Sequence, residues 1–190
     1  MRWFDVLMRT RPIVTERLLL RPFVLDDVLP AHRNWMSDDD VAHFTTWEVH
    51  RDLERTRRVI STWISEYPRG SLDWCIVDRS NGVPIGSITA VRDHPDKGWC
   101  EMGYCLSQDY WDMGIMTEAL RAVVRYILEN IGYDWIQARH EVENEASGRV
   151  MEKSGFRYAG TYDLYNPKTG RTVPYRFMIV RRSDLPPRQF

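Results

Sequence analysis

The longest periodic pattern in the chain runs from Met116 to Ile131, where apolar residues recur at intervals of three and four. This spacing places them on one continuous stripe and predicts an amphipathic helix. Gly132 follows at the place where a residue in the left-handed conformation ends a helix. Gly114 precedes the pattern, and its missing Cβ lets the backbone turn tightly between a strand and this helix. The stripe consists of Met116, Leu120, Val123, Val124, Ile127, Leu128 and Ile131.

Three other helices are predicted from capping residues that stand before shorter apolar patterns. Asp26 is interpreted as the N-cap of the first, and a second helix begins near Asp52. Asn144 and Gly155 fit the N-cap and the C-terminal glycine of a short late helix. Residues 41–50 show no clear pattern. With the long amphipathic segment, this makes about four helices.

Between the helices, stretches rich in β-branched and aromatic residues predict strands. The dipeptide Asn81-Gly82 between two of them is a strong hairpin signal. Residues 92–98 are predicted as a loop. Pro174 interrupts the last strand, which indicates an edge position or a bulge. The predicted strands span residues 17–23, 72–78, 83–91, 99–106, 135–142, 156–164 and 172–181.

This order of elements predicts a mixed α/β fold. Strand 99–106, the long helix and strand 135–142 form a strand–helix–strand unit, which favours a right-handed parallel connection. The hairpins elsewhere imply antiparallel pairing. No linker-like stretch divides the chain, so residues 1–190 are predicted to form one domain, with loose ends at 1–14 and 186–190.

Composition narrows the classes of partner. With 26 basic and 27 acidic side chains, nothing points to nucleic acid or to an acidic membrane. No apolar run is long enough to span a bilayer, and the N-terminus lacks the apolar core of a secretory signal. The three cysteines have no CxxC spacing, which indicates reduced thiols and a cytoplasmic protein. The five histidines show no paired metal-ligand spacing, so no metal site is predicted.

The turn before the long helix is a candidate anion site. The first-turn N–H groups of a helix have no intrahelical acceptor and carry the positive end of the helix dipole. Where Gly114 lets the backbone approach a ligand, these groups can bind a phosphate or a pyrophosphate. Taken alone, the same residues are also explained by an ordinary strand-to-helix turn, so other motifs have to decide.

Four motifs resemble the GCN5-related N-acetyltransferase (GNAT) superfamily, and more narrowly its RimJ/RimL-type protein N-acetyltransferases. The resemblance covers nearly the whole chain, and the motifs stand in the right order between the right elements. They are Thr-Glu-Arg-Leu-Leu-Leu-Arg at 15–21, Glu-Met-Gly-Tyr at 101–104, Tyr110-Trp111 with Gly114 and Thr-Glu-Ala-Leu at 117–120, and Asn144 with Ser147 followed by Glu-Lys-Ser-Gly-Phe at 152–156.

The resemblance implies a central, mostly antiparallel sheet in which one parallel strand pair splays apart around acetyl-CoA. The pantetheine arm is expected along the backbone of Leu106 and Ser107, and the pyrophosphate on backbone amides at 113–117. Asn144 is expected to contact the cofactor arm, to serve as an N-cap, or both. The other cofactor-binding residues that the resemblance implies are Trp111, Met113, Gly114, Ile115, Met116 and Thr117.

Two residues of the turn depart from the superfamily pattern. Asp112 stands where that pattern has a glycine, and it adds negative charge beside the expected phosphate site. Met116 is bulky where the pattern has glycine or alanine, although its backbone N–H is still available. These departures keep open the hypothesis of a CoA-binding sensor without turnover.

Acetyl transfer to an amine requires a neutral amine, donors for the thioester oxygen and a proton for the departing thiolate. Glu101 is predicted as the base, directly or through water; its alternative is a solvent-facing strand carboxylate. Ser147 is the candidate for hydrogen-bonding or protonating the thiolate; its alternative is an ordinary serine in the first helical turn. Backbone N–H groups near Leu106 are the expected oxyanion donors. Direct attack in a ternary complex needs no covalent enzyme intermediate.

The remaining hypotheses differ in which amine accepts the acetyl group. The RimJ/RimL resemblance implies a protein N-terminal α-amine of the ribosomal-protein type; the alternative is a small amine such as a polyamine, an amino acid or an aminoglycoside. Residues 41–50 and 166–172 are expected to shape the acceptor groove. The acidic triplet 38–40 either attracts a cationic substrate or is a solvated loop. Family members often associate as homodimers, and the aromatic-rich sequence is consistent with self-association.

Overall fold

The computed structural model describes residues 9–185, in which eight strands form one sheet with helices on both faces. The strands are β1 (Ile13–Val14), β2 (Leu18–Arg21), β3 (Asp73–Asp78), β4 (Pro84–His94), β5 (Trp99–Leu106), β6 (Trp135–Glu141), β7 (Arg157–Asn166) and β8 (Arg171–Arg181). The helices are α1 (Val28–Ala31), α2 (Asp39–Ala42), α3 (Leu53–Glu66), α4 (Ile115–Tyr126) and α5 (Glu145–Lys153). A π-helical segment continues each of α1 and α4, at His32–Met36 and Ile127–Ile131.

The sheet has the order β1-β2-β3-β4-β5-β6-β8-β7. Of the pairs between these eight strands, β5 with β6 is parallel and the others are antiparallel. The parallel pairing stops at Glu101 and Gln137, whereas β5 stays paired to β4 as far as Leu106 and β6 stays paired to β8 as far as Glu141. The sheet therefore splays open between β5 and β6. The predicted mixed fold with one splayed parallel pair is confirmed.

The long amphipathic helix is also confirmed. α4 begins after Gly114, whose φ is +73°, and its π-helical extension ends at Gly132, whose φ is +94°. The predicted stripe is buried, because Leu120, Val123 and Ile127 have no exposed surface. Burial of this stripe against the sheet gives the helix most of its stability, since each buried side chain of this size contributes about 1.5–3 kcal/mol.

The two faces of the sheet are covered differently. α4 and α5 pack on one face over the main apolar core, which includes Ile88, Met102 and Ile136. α1 and α3 pack on the other face over β2 and β3, where Trp35 and Ile60 contact a second cluster. Because side chains alternate along a strand, odd-numbered residues of β5 and β6 lie on this second face. The part of that face over β5, β6 and β8 is called here the acceptor face.

Two local predictions were wrong: the N-cap of the first helix and the length of the loop after β4. Asp26 does not cap the first helix: the carboxylate of Asp27 accepts the Val24 N–H (2.8 Å) and pairs with both Nη atoms of Arg21 (2.7 Å each). The loop predicted at 92–98 is shorter, because β4 continues to His94 after a bulge between Ala90 and Arg92. The bulge brings Arg92 directly opposite Glu101.

Pro174 does not mark an edge strand, since β8 lies between β6 and β7. No register shift lies at Pro174 either; the shift between β7 and β8 is at Tyr158 and Gly160. The carbonyl of Pro174 accepts the Val142 N–H (3.0 Å) just past the last β6–β8 pair, Glu141 and Tyr175. Pro174 lies just beyond the last β6–β8 pair, so its missing N–H removes no hydrogen bond from that pairing. A proline is therefore tolerated in this internal strand.

The N-terminal end is ordered further than expected. Thr10 is buried and its hydroxyl donates to the Ser71 carbonyl (2.7 Å), and β1 pairs with β2. The expectation of a loose end is therefore wrong for residues 9–14. Residues 1–8 and 186–190 of the expected loose ends lie outside the described residues. Between residues 9 and 185, no helix has the length and apolar character needed to cross a bilayer.

Candidate active site

The splay exposes backbone groups of β5 to the gap. The Ser107 N–H donates to the Ile85 carbonyl (2.8 Å) on the β4 side, so the N–H and C=O of Leu106 point the other way, towards the gap. The Leu106 carbonyl accepts the indole Nε1–H of Trp111 (2.9 Å). Leu106 and Ser107, predicted along the pantetheine arm, and Trp111, predicted as a cofactor-binding residue, thus lie together at the mouth of the splay.

The turn before α4 presents an unpaired set of backbone donors. The first intrahelical bond runs from the Glu118 N–H to the Gly114 carbonyl (3.0 Å). Within the described part of the chain, the N–H groups of residues 113–117 have no acceptor. With the helix dipole behind them, these amides form a cradle for an anion. The predicted cofactor residues Met113, Gly114, Ile115, Met116 and Thr117 all belong to it.

The two departures from the superfamily pattern leave the cradle intact. Met116 is 6% exposed, because its side chain packs in the core and leaves the outer surface of the turn clear. Asp112 has a φ of +58°, a left-handed conformation in which a glycine is otherwise favoured. Aspartate is among the few other residues that adopt this conformation routinely, which accounts for its presence there.

The first motif of the sequence holds the cradle in place. Arg17 pairs through Nε with Oε2 of Glu118 in α4 (2.6 Å) and donates through Nη1 to the Met113 carbonyl (2.9 Å). Oε1 of Glu118 accepts the Thr15 hydroxyl (2.6 Å) and the Arg17 N–H (3.0 Å). Burial opposes ionisation of Glu118, but these hydrogen bonds prevail and the pKa of Glu118 is lowered. The opening motif and the Thr-Glu-Ala-Leu motif are therefore two halves of one clamp.

Positive charge surrounds the outer side of the cradle. An open cavity of about 570 Å³ lies over the first turns of α4 and reaches the end of α5. Arg121 spans the two helices, because its Nε donates to the Lys153 carbonyl (2.7 Å). This combination of amide donors and cations suits a ligand with several phosphate groups. The cavity is lined by Thr15, Glu16, Arg17, Gly114, Thr117, Glu118, Arg121, Ala122, Arg125 and Lys153.

On the α5 side, two hydroxyl groups meet across the splay. The Tyr104 hydroxyl of β5 lies 2.8 Å from Oγ of Ser147 in α5 and donates to the Ser147 carbonyl (3.0 Å). Burial raises the pKa of Tyr104, so this phenol stays protonated. Oδ1 of Asn144 accepts the Ser147 N–H (3.1 Å), which confirms Asn144 as the N-cap of α5 and leaves its amide N–H₂ for another partner. Tyr104 was not selected from the sequence, although it is the last residue of the Glu-Met-Gly-Tyr motif.

Glu101 lies on the acceptor face at the closed end of the splay. The alternative interpretation of Glu101, a solvent-facing strand carboxylate, is wrong, because the residue is 1% exposed. Its role as the base stays a prediction. Oε1 pairs with Nε of Arg139 (3.1 Å), and Oε2 accepts Nη1 of Arg92 (3.3 Å) and Nε2 of Gln137 (2.9 Å). The guanidinium of Arg139 also lies over the Tyr175 ring, at 5.4 Å from its centroid. Both oxygens of this carboxylate are therefore engaged.

A second carboxylate, Glu141, ends the same face of β6. Its Oε1 accepts the Tyr175 hydroxyl (2.8 Å) and Nδ2 of Asn166 (2.9 Å). Burial, together with the Glu141 charge, raises the pKa of Tyr175 to about 12. Sequence reasoning did not identify this cluster, since its members come from three strands and share no local motif.

The two segments expected to shape the acceptor groove are joined to each other. Nζ of Lys168, in the β7–β8 turn, donates to the carbonyls of Ala42, the last residue of α2, and of His43. The acidic triplet before this segment is structural: Asp38 caps α2 through the Asp40 N–H (2.8 Å) and accepts Nε2 of Gln108 (2.9 Å). The acceptor face is thus bridged by a strap that runs from the hairpin to α2.

The three cysteine thiols are free, and each is buried or half-buried. Burial raises the pKa of Cys75 and Cys100, and it raises the pKa of Cys105 to about 11. Such thiols are protonated and unreactive at neutral pH. Among residues 9–185, no group of three or more His, Cys, Asp or Glu side chains is arranged to hold a metal ion.

Comparison with known proteins agrees with this site. The acetyltransferase (GNAT) domain model matches residues 17–157. The uncharacterized N-acetyltransferase p20 of Bacillus licheniformis is 25% identical over 172 residues, covering 90% of this chain and 96% of p20.

Solved structures share the fold. A GNAT-family acetyltransferase from Bacillus anthracis superimposes with a TM-score of 0.81 at 23% identity, covering 91% of this chain and 99% of that chain. RimL, a ribosomal L7/L12 α-N-protein acetyltransferase in complex with coenzyme A, has a TM-score of 0.80 at 19% identity, covering 90% and 98%. With the splay, the amide cradle and the domain match together, the chain belongs to the GNAT family and is an acetyl-CoA-dependent N-acetyltransferase.

Proposed function

We propose that this enzyme acetylates the N-terminal α-amine of a protein or peptide, in a ternary complex with acetyl-CoA. The proposal rests on the hydrogen bonds and ion pairs of the Glu101 carboxylate. Both of its oxygens are engaged by Arg92, Arg139 and Gln137, so it takes up a proton through water rather than by direct contact. Such a base suffices for an α-amine, whose reference pKa is 7.7–8.0, but not for a lysine-type amine near 10.4. The RimL likeness supports the same acceptor class.

The geometry of the splay and of the turn before α4 supports an assignment of the residues that would hold acetyl-CoA. The amides of residues 113–117, with Arg121 and Lys153 beside them, would bind the phosphate groups. The backbone of Leu106 and Ser107 would lie along the pantetheine arm, and Asn144 would offer its amide N–H₂. When bound, acetyl-CoA supplies an acetyl group activated as a thioester.

The hydroxyl groups of Ser147 and Tyr104 would assist the departure of the thiolate. Ser147 would donate a hydrogen bond to the sulfur that leaves, with the Tyr104 hydroxyl turning its own proton to the Ser147 Oγ 2.8 Å away. Backbone N–H groups near Leu106 stabilise the charge that develops on the thioester oxygen, because they already point into the gap. No side chain of the protein needs to form a covalent bond.

One observation favours a second candidate, a small amine. The strap from Lys168 to Ala42 and His43 narrows the acceptor face, and a small molecule passes beneath it more easily than a folded protein does. A protein N-terminus remains compatible with the strap because an extended chain end is also narrow.

The free cysteines are consistent with a cytoplasmic location, which stays a prediction. Association as a homodimer also stays a prediction.

Thiol release from acetyl-CoA tests the proposal. The acceptors are a hexapeptide with a free α-amine, the same peptide with a blocked N-terminus and one internal lysine, and spermidine. We expect the free-α-amine peptide to have the highest kcat/KM, with the acetyl group located on its N-terminus by mass spectrometry. Equal or faster use of spermidine would support the small-amine candidate. Coenzyme A binding without turnover of any amine would instead support a sensor.

A further inference from the structure

Glu141 is a half-buried carboxylate with one oxygen fixed and the other without a protein partner. Oε1 accepts the Tyr175 hydroxyl (2.8 Å) and Nδ2 of Asn166 (2.9 Å). In the part of the chain from residue 9 to 185, Oε2 makes no hydrogen bond or ion pair. The side chain is therefore held in one orientation while half of its hydrogen-bonding capacity remains unused.

Among residues 9–185, no ion pair neutralises the charge of Glu141, in contrast to Glu101. Glu101 pairs with Arg139 and Arg92, whereas both partners of Glu141 are neutral. Arg139, a cation on the same face of β6, pairs with Glu101 and lies over the Tyr175 ring. A half-buried carboxylate without a counter-charge is a strong binding group for a cation, because a charge-assisted hydrogen bond recovers its lost hydration.

The location connects this carboxylate to the reacting groups. Glu141 is the last residue of β6, four positions beyond Gln137, where the parallel pairing stops. It therefore borders the open end of the splay on the acceptor face. Its carbonyl accepts the Asn144 N–H (2.8 Å), so the chain passes directly from Glu141 into the helix that carries Ser147.

We propose that Glu141, oriented by Tyr175 and Asn166, binds the ammonium group of the incoming acceptor amine. This inference rests on the proposed function and adds how that site selects its substrate. Glu141 has a binding role, distinct from proton uptake at Glu101. It selects amines without a neighbouring carboxylate, such as the first residue of a peptide, and it repels free amino acids by like charge.

The test compares Glu141→Gln with Glu143→Gln, a matched loss of one carboxylate two residues along the chain. The acceptor is tri-alanine amide, and the measurements are kcat, KM and, by calorimetry on the CoA-saturated protein, the Kd for the amine. We expect Glu141→Gln to raise KM and Kd by about tenfold or more, with kcat within about twofold, because a charge-assisted bond is lost in the ground and transition states alike. Glu143→Gln should leave both constants within about twofold.

A second variant keeps the carboxylate and removes its orientation. Tyr175→Phe should raise KM by less than Glu141→Gln does, and thermal unfolding checks that each variant is folded. A fall in kcat with unchanged KM in Glu141→Gln would overturn the proposal, as would an unchanged Kd or the absence of amine binding by the wild type. If the wild type acetylates no amine, the proposed function fails, and the calorimetric comparison still decides the role of Glu141.

Discussion

The two sides of the splay present different kinds of polar group. On the α4 side the anion cradle consists of backbone N–H groups at 113–117, which are kept by any side chain other than proline that tolerates the turn. On the acceptor face the polar groups are side chains, Glu101 and Glu141, each held by partners from other strands. The donor side is therefore robust to sequence change, whereas the acceptor face can be altered one residue at a time.

The largest expected effect is on the acceptor face. Glu101→Gln should lower kcat for a free-α-amine peptide at neutral pH by about 10²–10⁴-fold, because general base catalysis is lost. Affinity for coenzyme A, measured by calorimetry, should stay the same. At a pH above the α-amine pKa the amine is already neutral, so the loss should shrink.

Glu101 also neutralises Arg139, so a structural role has to be separated from a catalytic one. Arg92→Ala removes one ion pair from the same carboxylate and serves as the control; it should lower the thermal stability and leave kcat nearly unchanged. A rate loss in Glu101→Gln that does not change with pH would contradict the role as base.

A smaller effect is expected from distorting the donor side. Gly114→Val places a β-branched residue at a φ of +73°, where the left-handed backbone costs an L-residue about 1–2 kcal/mol or more. The turn should move out of register with α4, and the Kd for coenzyme A should rise by about 10–100-fold. Isothermal calorimetry measures it.

Gly82 in the β3–β4 hairpin offers the matched control. It has a φ of +72° and open space around it, so Gly82→Val carries similar backbone strain far from the cradle. It should lower stability by a similar amount and leave the coenzyme A affinity unchanged. Equal affinities in the two variants would remove the turn from the cofactor site.

The smallest effect concerns the pH response of the segment between α2 and α3. His50 and His32 both contact the Thr56 hydroxyl (2.9 Å each), which anchors the segment between α2 and α3. Burial, with the charge of Arg55 next, lowers the pKa of His50 to about 4. Between about pH 6.5 and pH 4 the unfolded chain binds a proton that the folded protein excludes, so stability falls as pH falls, by roughly 1–3 kcal/mol in all.

The free energy of unfolding at pH 7 and pH 4.5, compared between wild type and His50→Gln, measures this contribution. The comparison is needed because burial raises the pKa of Asp73 to about 6, and this group changes stability in the opposite direction over the same range. The wild type should lose more stability than the variant. An equal loss in both would show that His50 does not titrate in this window.

The backbone cradle has no group that titrates, so coenzyme A affinity should depend less on pH than the KM for the amine.

The donor side could be predicted from the sequence because its signals are local. A glycine between a strand and an amphipathic helix, and an asparagine three residues before Ser147, each determine a turn or a cap within a few residues. Even the buried position of Met116 followed from its place in the apolar stripe. The clamp between Arg17 and Glu118 could be recognised only as two separate motifs.

The acceptor face could not be predicted because its contacts are long-range. Glu141 is bonded to residues 25 and 34 positions away, in strands whose order in the sheet is not apparent from the chain. Arg92 reaches Glu101 only because a bulge shifts the register of β4. The burial of Glu101 could not be predicted for the same reason, because no residue near it in the sequence indicates that Arg92 and Arg139 pair with it.

The clamp between Arg17 and Glu118 also constrains how the protein folds. It joins residues 101 positions apart, so closing that loop is entropically expensive and has to await the strands between them. During synthesis the first motif emerges long before its partner, and the cradle acquires its final orientation only after α4 has left the ribosome. The cofactor site is thereby coupled to completion of the central sheet, and a chain that stops short of α4 has no means of binding the donor.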